Sequence, residues 1–120
     1  MTKTSTVVLV GSLLLFSGCL SANFTPTSGS LYEPRPSDCD IEVFSSGPPD
    51  DRAFEEIGIL EGQGKAWKAE LRDVLPAMME EGCQAGGDAI VMTSSNTFAE
   101  GEAGIANQRI TATLIRWKNE

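Results

Sequence analysis

The stretch Cys83-Gln84-Ala85-Gly86-Gly87-Asp88-Ala89-Ile90-Val91-Met92-Thr93 decides the fold. It joins the end of a helical pattern to a buried strand through a double glycine. Upstream, from about Ala66 to Ala85, Trp67, Leu71, Val74 or Leu75, and Met78 recur at helical spacing. Gly86-Gly87 supplies the stop, because glycine readily enters the left-handed conformation that closes a helix. Ala89-Ile90-Val91-Met92-Thr93 is a run of the kind a fully buried strand needs. Pro76 falls inside the helical pattern and should kink or split it. Asp73 is placed to cap a fresh helix that holds Pro76 in its first turn.

Arg109 to Trp117 is the clearest strand: Ile110, Ala112 and Leu114 point one way, Thr111, Thr113 and Ile115 the other. Between the two strands, Ser94 to Gln108 reads as a loop of small residues with Gly101 and Gly104. Toward the amino terminus, Ile41-Glu42-Val43-Phe44 is a short strand and Ser46 to Asp51 a loop set by its breakers. Phe54 to Glu61 is a further strand around Ile57-Gly58-Ile59-Leu60, which Gly62-Gln63-Gly64 ends. The order is strand, strand, helix, strand, strand, with no internal repeat. The expectation is a single small α+β domain, in which a mainly antiparallel four-stranded sheet carries a kinked helix on one face.

Ser21 to Ser37 is polar, holds three prolines and has little apolar content, the composition of a flexible tether. Ahead of it lie Lys3, an apolar run from Val7 to Phe16, the small residues Ser17 and Gly18, and Cys19. The run is too short to span a bilayer as a helix, which takes roughly 20 residues, and has the anatomy of a secretory signal. It resembles the lipobox of bacterial lipoproteins, with Phe16 where Leu is usual. That resemblance implies removal of residues 1–18 and a diacylglycerol on the Cys19 thiol, with a further acyl chain such as palmitate on the new amino terminus. One chain holds a protein marginally and two or more hold it stably. In enterobacterial lipoproteins an Asp after the Cys favours the inner membrane, so Leu20 implies the outer membrane. The expected division is a signal peptide at 1–18, the lipidated Cys19 and tether at 19–38, and a folded domain at 39–120.

The chain has 120 residues, 9 basic, 17 acidic and no His, a formal charge of −8. Removing residues 1–18 takes away Lys3 and leaves 8 basic against 17 acidic, or −9. Such a chain is a poor partner for nucleic acid, whose phosphates are met by Lys and Arg, and gains no electrostatic hold on anionic lipid. The membrane contact expected is therefore the lipid anchor. With Cys19 lipidated, Cys39 and Cys83 remain. In an oxidising compartment the pair reads as one disulfide worth about 4 kcal/mol; two separate buried thiols are the alternative.

Cys39 stands immediately before a strand in Asp38-Cys39-Asp40-Ile41-Glu42-Val43-Phe44, and Cys83 lies in a helix that runs into Gly86-Gly87-Asp88-Ala89-Ile90-Val91. Behind a lipobox and a Pro-containing tether, this pattern resembles the family of the Rcs phosphorelay outer-membrane lipoprotein (RcsF) and its YbjQ-like relatives. The resemblance covers about residues 39–117. It implies the small α/β domain and a role in reporting envelope damage through protein contacts, without enzymatic activity. Family members carry two disulfides, of which Cys39 and Cys83 match the longer-range pair. The tether here is shorter than the family's, with Arg35 as its one positive charge.

No enzyme constellation stands out. The absence of His removes the commonest general base and metal ligand, and paired cysteines are not nucleophiles. The clusters Asp38, Asp40 and Glu42, Asp50-Asp51, and Glu55-Glu56 lack the spacing of a calcium loop and read as solvated surface. Gly62-Gln63-Gly64-Lys65 lacks the full phosphate-loop spacing and reads as a strand-to-helix turn. Trp67 and Trp117 read as packing residues, and Met78-Met79 as a gap-filling helix face. Phe98 and Ile105, in the 94–107 segment, are the candidate contact residues. The function expected is a lipid-anchored envelope protein in stress signalling, with unidentified envelope proteins as partners and no cofactor beyond the lipid. A periplasmic module binding a small ligand or peptide, and a structural lipoprotein, are the alternatives.

Overall fold

A computed structural model describes residues 20–118; the signal segment, the lipidation candidate Cys19 and the last two residues lie outside the described residues. The elements are β1 (Leu20–Pro26), β2 (Glu42–Phe44), β3 (Phe54–Lys65), a 3-10 turn at Ala66–Lys68, α1 (Leu71–Gln84), β4 (Ala89–Glu100) and β5 (Ile105–Trp117). They form one five-stranded sheet in the order β1-β3-β5-β4-β2. The pairs β1–β3, β3–β5 and β4–β5 are antiparallel, whereas β2 runs parallel to β4. The expected α+β class and single helical layer stand. The sheet is mixed, with a fifth strand that composition hid.

That fifth strand corrects the tether. Leu20, Ala22 and Phe24 alternate with Ser21, Asn23 and Thr25, and the segment pairs with β3 from Leu20↔Gly64 to Pro26↔Gly58. Ala22 and Phe24 pack on the helix-side core. Period-two alternation outweighs the polar composition once a sheet edge offers hydrogen bonds. The following residues also stay on the domain, as the contacts of Tyr32 and Arg35 show below. The folded unit therefore begins at Leu20 within the described chain, rather than at residue 39.

α1 buries Val74, Met78 and Gly82 on one stripe, with Cys83 beside it. They meet Leu60, Ile90, Ile110, Ala112 and Leu114 from the sheet. The close approach depends on glycine. A Cβ at Gly62 would lie 2.6 Å from Val74 and 2.7 Å from Met78, and one at Gly64 would run into the Lys68 carbonyl oxygen. Gly62-Gln63-Gly64 thus belongs to β3 and lets the helix settle against it. A smaller core of Ala89, Val91 and Ile115 lies apart from the first, covered by Phe44, Phe54 and Trp117. There the Arg52 guanidinium stacks 3.9 Å from the Trp117 ring centre.

Three further expectations change. The helical pattern is interrupted, with the 3-10 turn separate from α1. Glu70, and not Asp73, occupies the cap position, and it makes no side-chain capping bond; Pro76 sits in the sixth helical position. Trp67 is 65% exposed instead of packed. The helix end follows the sequence reading. Gly86 has φ +85°, its N–H donates to the Cys83 carbonyl, and the Gly87 N–H donates to the Gly82 carbonyl. This paired closure is the Schellman motif.

Candidate functional site

At the carboxyl end of α1, chain segments remote in sequence are tied together. A disulfide joins Cys39 to Cys83, with Cα atoms 5.9 Å apart. The Arg35 backbone N–H donates to the Cys83 carbonyl at 2.9 Å. Its guanidinium donates to the Gly87 carbonyl at 2.7 Å and to Asp88 Oδ1 at 3.0 Å. Asp88 Oδ2 in turn accepts the Trp117 N–H at 2.9 Å. Arg116 donates to the Gly86 carbonyl at 2.9 Å and lies 4.3 Å from the Tyr32 ring centre. The Tyr32 hydroxyl donates to Glu55 at 3.1 Å. Two guanidinium groups therefore bind the carbonyls of the Gly86-Gly87 turn, just past the negative end of the helix dipole. This node binds the segment before β2 to the domain.

The opposite end of the sheet is built differently. The expected 94–107 loop is a hairpin arm: β4 and β5 pair out to Glu100↔Ile105, with Gly101 and Gly104 turning the chain at positive φ. Small residues without a strong strand preference form the arm because cross-strand side-chain bonds hold it. Gln108 donates to Ser95 at 2.7 Å and accepts from Thr97 at 2.7 Å. Asn107, fully buried, donates to Glu100 at 2.9 Å, and the Lys65 ammonium reaches the same carboxylate at 3.5 Å.

β2 covers β4 only at Ala89, Ile90 and Val91. From Thr93 to Glu100, β4 is exposed throughout and has β5 on one side and no strand on the other among the described residues. That outer edge offers unpaired backbone donors and acceptors, a template for an added strand. The candidate residues Phe98 and Ile105 lie on one face of the arm, since Phe98 pairs with Asn107 and Ile105 with Glu100. The Arg109 guanidinium sits 5.5 Å from the Phe98 ring centre, so the ring is positioned.

A third feature is a groove of about 340 Å³ between β1, residues 30–32 and the end of α1, walled by Phe24, Pro26, Leu31, Tyr32 and Ala85. Of the residues singled out from sequence, the structure joins Cys39 to Cys83 and places Phe98 and Ile105 on the arm. Sequence reasoning missed Arg35, Asp88, Arg116 and Asn107. The one cation in an otherwise anionic spacer was a usable signal for Arg35.

No family model matches the chain, and no curated protein does. Among solved structures, the chain is similar to the crystal structure of a Francisella virulence factor, FvfA. The identity is 16% and the TM-score 0.53, over 78% of this chain and 96% of that one, a likeness of fold.

Proposed function

We propose that this chain is a lipid-anchored cell-envelope protein that works by protein contact, as an Rcs-type sensor or adaptor does. The observation that carries the reading is the free edge of β4. Eight residues, Thr93 to Glu100, lie outside the span that β2 covers, on an arm that its own side chains stiffen. Natural proteins usually blunt such an edge with charge or proline. Here Thr93-Ser94-Ser95-Asn96-Thr97-Phe98-Ala99 has neither, and Glu100 at the far end of the edge is its one charge. An extended segment of a partner would add to it by main-chain hydrogen bonds, with the side chains of the arm giving selectivity. The Cys39–Cys83 disulfide suits the oxidising compartment to which the signal segment points.

The test is a photo-crosslinking residue in place of Thr97 in living cells, with one in place of Ser28 as control. The reading expects a discrete adduct from position 97 that is lost on combining Ser94→Lys with Asn96→Lys. It also expects altered envelope-stress reporter output on deletion of the gene. No adduct and an unchanged reporter would overturn it.

A further inference from the structure

Among the described residues β1 is paired from Leu20, the residue after Cys19. Neighbouring Cα atoms are about 3.8 Å apart, so a lipid on Cys19 leaves from the sheet itself, with no spacer between. Leu20 pairs with Gly64, Gly64 with Gln108 and Gln108 with Thr97, which defines one row across the sheet. Three residues of β5 lie beyond that row, so at ~3.3 Å per residue the hairpin arm reaches roughly 10 Å past it. The 3-10 turn follows Lys65, one residue beyond the row. Val74 near the start of α1 packs over Gly64 and Gly62, which puts the amino end of the helix here too.

This end concentrates exposed apolar side chains. Among the described residues seven large hydrophobic side chains are exposed, and Leu20, Trp67, Leu71, Phe98 and Ile105 are five of them. Charge divides the same way. Lys65, Lys68, Arg72 and Arg109 accompany Glu70, Asp73, Glu100 and Glu102 at this end, whereas the acidic excess of the chain lies elsewhere in the sequence. A domain held against anionic headgroups is repelled least in that orientation. Tryptophan is the side chain most suited to the headgroup layer, with an apolar ring and one N–H donor.

We propose that the domain rests directly on the bilayer that holds its anchor, with Leu20, Trp67 and the tip of the β4–β5 hairpin in the headgroup layer. This rests on lipidation of Cys19. Glu102 at the turn keeps the tip at headgroup depth and out of the hydrocarbon. The free edge of β4 from Thr93 to Asn96, which precedes the row of Leu20, then stands just above the membrane surface, where the membrane-proximal segment of an embedded protein is within reach.

The chain has two tryptophans, Trp67 and Trp117, and they lie at opposite ends of the sheet, Trp117 being paired with Phe54. The test uses protein purified from its own membrane, with its mass measured intact, in vesicles of phosphatidylethanolamine and phosphatidylglycerol. Phospholipids brominated near the headgroup or deep in the chain serve as quenchers. In Trp117→Phe, Trp67 should be quenched several-fold more by the shallow quencher than by the deep one. In Trp67→Phe, Trp117 should be quenched by neither. The difference between the natural chain and Trp67→Phe gives the Trp67 signal without disturbing the smaller core. A di- or triacylated mass with Trp67 quenched no more than Trp117 overturns the docking and leaves the anchor standing. A mass without lipid overturns both, and is distinguished by that mass.

Discussion

Arg35 Nη1 lies 3.0 Å from Asp88 Oδ1, across 53 residues of sequence. The pair is about one-third exposed on each side, and its weight comes from what surrounds it. The same nitrogen donates to the Gly87 carbonyl, and the same carboxylate receives the Trp117 N–H. Hydrogen bonds to charged groups contribute about 1.5–3 kcal/mol each when partly shielded. Arg35→Met should therefore lower the urea-unfolding free energy by about 2 kcal/mol. Arg35→Lys should recover part of the loss, because both bonds leave from the single Nη1 and an ammonium carries enough donors for two acceptors. In a double-mutant cycle with Asp88→Asn the two effects should be less than additive. Full additivity would mean that the groups do not act together.

The helix-facing glycines of β3 make a graded prediction. Gly62→Ala would press on Val74 and Met78, whose side chains can shift, whereas Gly64→Ala would press on the Lys68 backbone. Overpacking typically costs about 1–3 kcal/mol, and the backbone site should stand at the upper end. Gly101 has open space around it but φ +79°, so Gly101→Ala should cost about 1 kcal/mol through conformation alone. Thermal melts of the three variants should rank Gly64→Ala lowest.

Because β1 belongs to the sheet, a chain beginning at Asp38 should not behave as the intact domain. It loses the Phe24 ring, which fills the space that Gly58 leaves, exposes the edge of β3, and removes Arg35. Phe24→Ala alone should cost about 2 kcal/mol. The truncated chain should show a broadened urea transition and concentration-dependent association by light scattering. A sharp transition at the original midpoint would show that the segment is dispensable.

The disulfide closes a loop of sequence separation 44, for which chain entropy gives about 4 kcal/mol. Reduction should move the urea midpoint down by a corresponding amount. The Tyr32 and Arg35 contacts should loosen first, which hydrogen exchange at the Arg35 N–H would detect.

What could be read from the residues followed physical distinctness. Gly86-Gly87 closes α1 where the double glycine stands, and Arg109 to Trp117 lies within β5 with the expected alternation. β1 was hidden because it was read together with the proline- and serine-containing stretch that follows it, although Leu20, Ala22 and Phe24 carried the period. The hairpin arm was hidden for the opposite reason. Thr93 to Glu100 has no apolar period, and Gln108, Asn107 and their partners hold it by tertiary contacts that no local pattern announces. The parallel pairing of β2 with β4 depends on the disulfide-tied path before β2, which the spacing of Cys39 and Cys83 left open. The candidate contact residues Phe98 and Ile105 were visible as apolar residues among small ones, but the free backbone edge beside them was not, since an edge is defined by which strand is missing.

Pro76 offers the last prediction. It occupies the sixth position of α1, so the Arg72 carbonyl receives no N–H from it and faces its ring. Pro76 is exposed, and nothing in the core requires the ring. Pro76→Ala restores the missing bond and removes the clash, which together are worth up to about 3 kcal/mol in a helix interior. Greater flexibility of the unfolded chain takes back part of that. The expected result is a net gain of about 1 kcal/mol, read as a higher melting temperature with unchanged helix content. If the melting temperature falls instead, the proline fixes the path of α1 across β3, and the close approach at Gly62 and Gly64 depends on it.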